Sequence, residues 1–242
     1  MDYPKSVPSV GLVNGKFVDE NPVTGTPGSL IPAAWGNGVT QEILNVLAAA
    51  GIVGGAVIAI PAGVFISRHP SWGAPLIQFA GMLYTVPSLA LLGLLIPFLG
   101  LGWAPTIVAL TIYSLLPLLR NTYIGIVEVD AALKEAAIGM GATDRQLFCQ
   151  VEWPLALPFI MAGLRTVTVM TIGIATLGAL VGAGGLGVLI FRGLHMMDNS
   201  LLLAGTLPVA LLAVAADNLL EWGELRVQQA MGVFSVTMEE ER

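Results

Sequence analysis

The stretch from His69 to Leu119 reads HPSWGAPLIQFAGMLYTVPSLALLGLLIPFLGLGWAPTIVALTIYSLLPLL, 51 residues without one Asp, Glu, Lys or Arg. At about 1.5 Å per helical residue it is far longer than the ~30 Å of one bilayer crossing. It suits two crossings if the chain turns in the middle. Gly100-Leu101-Gly102-Trp103-Ala104-Pro105 supplies that turn, with two glycines, a proline and a tryptophan of the kind that settles at a membrane interface. The stretch reads as a helical hairpin in a membrane.

The remaining composition agrees. Of 242 residues only 11% are charged and 55% are apolar, glycines left out, whereas a soluble domain carries roughly 25% charged residues. So little charge cannot cover a soluble surface, which excludes a soluble enzyme and a disordered chain. The net charge of −6 comes with no basic patch, so nucleic acid is not an expected partner. Cys149 is the single cysteine, which excludes an internal disulfide or a cysteine metal cluster and reads as a small apolar filler.

Three regions follow. Residues 1–40, rich in Gly, Pro, Ser, Thr and Asn, read as an extracytoplasmic tail with a short surface helix near Trp35 and without a signal-peptide pattern. Residues 41–225 form a transmembrane domain with five expected spans: Ile43–Ile66, Pro75–Leu99, Pro105–Ile124, Pro158–Val181 and Leu201–Leu219. Residues 226–242 read as a polar tail. With the N-terminus outside, seven basic residues (Arg68, Arg120, Lys134, Arg145, Arg165, Arg226, Arg242) fall on the cytoplasmic side and three (Lys5, Lys16, Arg192) outside. The positive-inside rule therefore predicts N-out and C-in, with residues 125–157 in the cytoplasm.

Catalytic signatures are few. The G-x-G-x-x-G match at Gly182-Ala183-Gly184-Gly185-Leu186-Gly187 follows an expected membrane span rather than a strand, and the next acid, Asp198, comes too early for a ribose contact. It reads as a break at the outer end of the fourth span. His69 and His195 fall on opposite sides, so no shared metal site is expected, and no cofactor is expected either. Arg165 and Asp217 lie near the ends of their spans, where snorkelling or mutual pairing accounts for them. Gly51/Gly55 and Gly178/Gly182 have the spacing of close helix packing. No ionisable group sits at mid-membrane, which points away from proton coupling.

Charge returns between Glu128 and Glu152. Asp130 is a good N-cap for a helix through Lys134-Glu135-Ala136-Ala137, and Gly141 permits a sharp turn before a second helix from Asp144. Physically this is an amphipathic interfacial element. Its spacing of Glu135-Ala136-Ala137, three residues, Gly141, nine residues, then Val151-Glu152-Trp153-Pro154 resembles the EAA motif of ABC importer permeases. Val151 and Trp153 replace the Ile and Leu usual there.

Further segments resemble permeases of the osmoprotectant uptake systems for glycine betaine, carnitine, choline and proline. They are Thr85-Val86-Pro87-Ser88, Leu119-Arg120-Asn121-Thr122 and Thr176-Leu177-Gly178 onward. The resemblance covers about residues 40–225 and implies an all-α, five-span type I permease core with a coupling helix between spans three and four. It also implies a second permease copy (homo- or heterodimer), a cytoplasmic ABC ATPase dimer that hydrolyses the ATP, and an extracytoplasmic substrate-binding protein. Glu135, Ala136, Ala137 and Gly141 are then the ATPase contacts. Thr85, Pro87, Gly182, Gly184 and Gly185 are gate or pathway candidates. An amino-acid importer of the methionine type is the alternative, and a structural membrane protein whose loop merely binds a partner is a third reading.

Overall fold

Prolines, glycines and small residues decide where the apolar stretches pass as helix and where they break. The computed structural model describes residues 12–13, 16–17 and 50–230. Most of the predicted tail, the helix near Trp35, residues 43–49 of the first expected span and the end of the C-terminal tail lie outside the described residues. Within the tail, β1 (Leu12–Val13) pairs antiparallel with β2 (Lys16–Phe17), Leu12 opposite Phe17. These two two-residue strands lie in the tail; the described residues of the transmembrane domain are all-α, as expected.

The helices are α1 (Ala50–Arg68), α2 (Pro70–Thr85), α3 (Ser88–Leu99), α4 (Trp103–Val127), α5 (Ala131–Gly139), α6 (Asp144–Leu147), α7 (Trp153–Leu177), α8 (Gly187–Met196) and α9 (Asn199–Ala230). A π-helical turn, Phe148–Glu152, joins α6 to α7, and a 3₁₀ turn, Gly178–Val181, follows α7. Among the described residues, four continuous helical segments are long and apolar enough to cross a membrane: α1, α4, the run Asp144–Val181 and α9. The α2–α3 pair makes five if it counts as one crossing.

That pair corrects one expectation. The second span is not a single helix from Pro75 to Leu99, because the chain breaks at Val86–Pro87. A residue before proline is pushed out of the α region, and Val86 is extended (φ −63°, ψ 127°). The expected turn at residues 100–105 is present, with Gly100 and Gly102 both at positive φ. Helix α8 occupies much of what reads in sequence as a glycine cluster and polar connection. Helix α9 continues to Ala230, five residues into the predicted tail.

The described chain divides into two units. One comprises Gly51–Pro87, Ala109–Thr171 and the chain from Val214 on. Here α1 buries a stripe of small residues, Gly51, Gly55, Ala59 and Gly63, ending in Ile66. In lipid, close backbone approach replaces the hydrophobic effect as the source of helix association. A Cβ on Gly63 would lie 2.7 Å from Cβ of Thr122, so α1 and α4 meet with no room for a side chain. Ala59, Ile66, Ala80, Leu118, Leu119 and Val167 form the core of this unit.

The other unit gathers Ser88–Val108 and Ile172–Ala213. The Gly102 N–H donates to the Val181 carbonyl (2.7 Å), tying the turn before α4 to the end of the 3₁₀ turn. Gly182 caps that turn at φ +84°, and Gly184 and Gly185 are also left-handed, at +82° each. Leu186 and Leu189 are buried. Asp198 caps α9, its carboxylate accepting from the Ser200 N–H at 2.9 Å.

Candidate functional site

The charged segment after α4 folds as a helix, a glycine turn and a second helix, as its sequence requires. Asp130 Oδ1 accepts from the Ala132 N–H (2.9 Å) and caps α5. The helix ends where Gly141 adopts φ +87°, and the Ala142 N–H returns to the Ala137 carbonyl (3.0 Å). Restart is fixed by a capping box that the sequence reading missed: the Gln146 N–H donates to Thr143 Oγ1, and the Thr143 N–H donates to Gln146 Oε1 at 2.9 Å.

This element is fastened by Glu152, which is 5% exposed. Arg68, the last residue of α1, donates to its carboxylate at 2.5 Å, and Lys134 Nζ lies 3.8 Å away. Lys134 also donates to the Ile126 carbonyl (3.1 Å), one of the unpaired carbonyls at the end of α4. The Arg68 guanidinium rests over the Phe148 ring, 5.2 Å from its centroid. One buried carboxylate thus joins α1, α5 and the π-helical turn. In sequence Glu152 is only one of several charges; its signal is an acid placed between Val151 and Trp153, where burial forces it to find cations.

The motif residues divide. Glu135, Ala136 and Gly141 are exposed, whereas Ala137 is buried. Large apolar side chains join the outward set: Leu133, Ile138 and Met140 are exposed, the last at 84%. Single exposed apolar residues are ordinary, but grouped ones on a short polar helix mark an interaction surface. A cavity of about 620 Å³ beside α5 is lined by Asp130, Leu133, Phe159 and Glu224 among others. Cys149 is exposed, not the buried filler expected. The π-helical turn that carries it rotates Glu152 inward instead.

Of the pathway candidates, Thr85 and Pro87 flank the α2–α3 break and are exposed, Thr85 Oγ1 donating to the Met82 carbonyl at 2.8 Å. Gly182, Gly184 and Gly185 form the left-handed loop before α8. No strand precedes that loop, so the dinucleotide reading of its glycines has no structural basis. Arg165 pairs through two nitrogens with the Asp217 carboxylate, and its Nη2 also reaches Glu221 at 3.0 Å. The two in-span charges noted in the sequence therefore satisfy each other.

Long apolar helices, a broken span and a mounted, outward-facing helix between two spans define a membrane transport permease of the type I importer fold. The chain belongs to the family of binding-protein-dependent transport system inner membrane components, whose model matches residues 32–229. It is 45% identical over 179 residues to the carnitine transport permease protein OpuCD of Listeria monocytogenes, covering 74% of this chain and 80% of that one. It is 44% identical to the glycine betaine/carnitine/choline transport system permease protein OpuCB of Bacillus subtilis (73% and 81% covered). Identity is 43% to the osmoprotectant import permease protein OsmW of Salmonella typhimurium (68% and 79% covered). Among solved structures, the fold matches an inward-facing MetNI methionine ABC transporter chain with a TM-score of 0.66 at 24% identity, covering 81% of this chain and 95% of that one. That likeness speaks to the fold alone.

Proposed function

We propose that this chain is the membrane subunit of an ATP-driven, binding-protein-dependent importer of osmoprotectants of the glycine betaine, carnitine and choline class. The carrying observation is identity above 40% across about three quarters of the chain with permeases named for these solutes. A cytoplasmic ATPase dimer hydrolyses the ATP and receives α5 through Glu135, Ala136, Gly141 and the exposed Ile138 and Met140. Ala137, buried, serves from inside, as a small residue on the inner side of α5. An extracytoplasmic binding protein delivers the solute to a pair of permeases. The count of seven Arg and Lys on the side of α5 against three on the other supports an N-out, C-in orientation in the cell inner membrane. Thr85 and Pro87 at the α2–α3 break, and the loop of Gly182, Gly184 and Gly185, are the gate and pathway elements. The irregular backbone of both elements, between apolar helices, supports that role.

The test is uptake of labelled glycine betaine into vesicles that hold the permease, its ATPase and its binding protein. Accumulation is expected only with ATP and all components present. Uptake that persists without the ATPase would overturn the proposal. Suppression by unlabelled methionine but not by carnitine or choline would assign the chain to an amino-acid importer instead.

A further inference from the structure

The break at Val86–Pro87 falls within the α2–α3 pair, with sixteen helical residues before it and twelve after. Irregular backbone within a membrane segment is tolerated only where protein buries it or where it lines a water-filled cavity. This chain covers it on one side only: Val86 is half-buried, but Tyr84, Thr85 and Pro87 are exposed.

Two tyrosines that lie 29 positions apart in sequence meet here. Tyr113, 5% exposed, donates its hydroxyl to the Val86 carbonyl and so pins the break. Its ring stands edge-to-face with that of Tyr84, with centroids 5.8 Å apart and planes at 70°. Tyr84 is 37% exposed. Its hydroxyl donates to Met170 Sδ at 3.2 Å, and a thioether is a weak acceptor. Arg68 and Arg226 rest on Phe148 and Trp222; among the described residues neither tyrosine ring carries such a cation.

A trimethylammonium group has no N–H to donate, so hydroxyls and carbonyls cannot hold it by hydrogen bonds. The face of an aromatic ring attracts it without them. A ring also holds less firmly than a carboxylate, and passage needs contact weak enough to release. We infer that Tyr84 is a specificity-determining residue of the permease itself, contacting the trimethylammonium group of the passing solute, with Tyr113 as the positioning residue that fixes Tyr84 at the break. The inference rests on the substrate class proposed above.

In the reconstituted importer, with its ATPase and saturating loaded binding protein, Tyr84 is replaced in turn by phenylalanine and by its mono-, di- and trifluorinated forms. Fluorine withdraws density from the ring face and leaves its shape nearly unchanged. Labelled glycine betaine uptake should stay within about twofold for Tyr84→Phe and then fall stepwise. The cumulative loss should reach about three- to thirtyfold, the span of ring–cation attraction from exposed to desolvated sites. Tyr84→Leu should match the trifluorinated form. The melting temperature of the purified complex should not move across the series. Flat uptake across the fluorinated series, or a loss that tracks melting temperature, overturns the role of Tyr84. A wild-type importer that takes up no quaternary ammonium solute overturns the substrate class, and the inference with it.

Discussion

Replacing Arg68 by methionine removes the nearer cation from Glu152 while keeping most of the side chain's volume. The carboxylate is 7% exposed, the Arg68 side chain 37%, and Lys134 remains 3.8 Å away. Breaking a fully buried pair costs roughly 3–5 kcal/mol, and an exposed pair is worth about 0–1 kcal/mol. This pair lies between, half-shared with solvent on the arginine side and partly rescued by Lys134, so a loss of about 2 kcal/mol is expected for Arg68→Met. Glu152→Gln leaves no buried charge, only a weaker hydrogen bond, and should cost about 1 kcal/mol.

The double variant should then be more stable than the sum of the two losses by about 1 kcal/mol, since one interaction cannot be lost twice. Thermal unfolding in detergent reads these values, as a fall of roughly 4–8 °C for Arg68→Met at 2–4 °C per kcal/mol. Raising salt to molar strength should leave the wild-type midpoint nearly unchanged, because buried pairs are poorly screened. Additive losses, or a wild-type midpoint that falls with salt to that of Arg68→Met, would refute the buried-anchor reasoning.

Gly141→Ala meets no atom within 4 Å but is forced to φ +87°. It should cost about 1–2 kcal/mol locally and weaken ATPase co-purification while membrane levels hold; Gly141→Asn, better suited to the left-handed region, should retain more. Gly63→Val puts Cβ 2.7 Å from Thr122 Cβ and 3.2 Å from the Leu119 carbonyl. It should cost at least about 1–3 kcal/mol, seen as loss of the monodisperse peak in size-exclusion chromatography, whereas Gly81→Ala, with nothing within 4 Å, should be neutral or stabilising by up to about 1 kcal/mol. Pro87→Ala relieves the constraint on Val86 and should abolish labelled uptake while leaving thermal stability within about 1 kcal/mol of wild type.

What the sequence made legible was local chemistry. The absence of charge from His69 to Leu119 required membrane helices, Gly100 and Gly102 required a turn, and Asp130 and Gly141 marked the two ends of α5. What it left hidden depends on partners distant in the chain. A proline inside an apolar stretch is tolerated in membrane helices, so Pro87 alone did not announce a break. The break is held by Tyr113, reached only after the chain has turned at residues 100–105. Glu152 reads as one acid among seven charges until α1 brings Arg68 to it. The tyrosine pair likewise shows no clustering in sequence because its members come from α2 and α4. Ala137 was grouped with Ala136 by the motif, and only the rotation of the helix separates their roles.

That rotation has a consequence for how such systems keep to their own partners. Within one three-residue signature, Ala137 is buried while Glu135 and Ala136 are exposed, so on the proposed function only the latter two meet a docking partner. On that proposal a change at the outward positions alters the docking surface without touching the interior, and a change at Ala137 does the reverse. If the proposed docking holds, exchanging the outward side chains, with Ala137 and Glu152 retained, is the minimal graft that would rewire one permease to the motor of another.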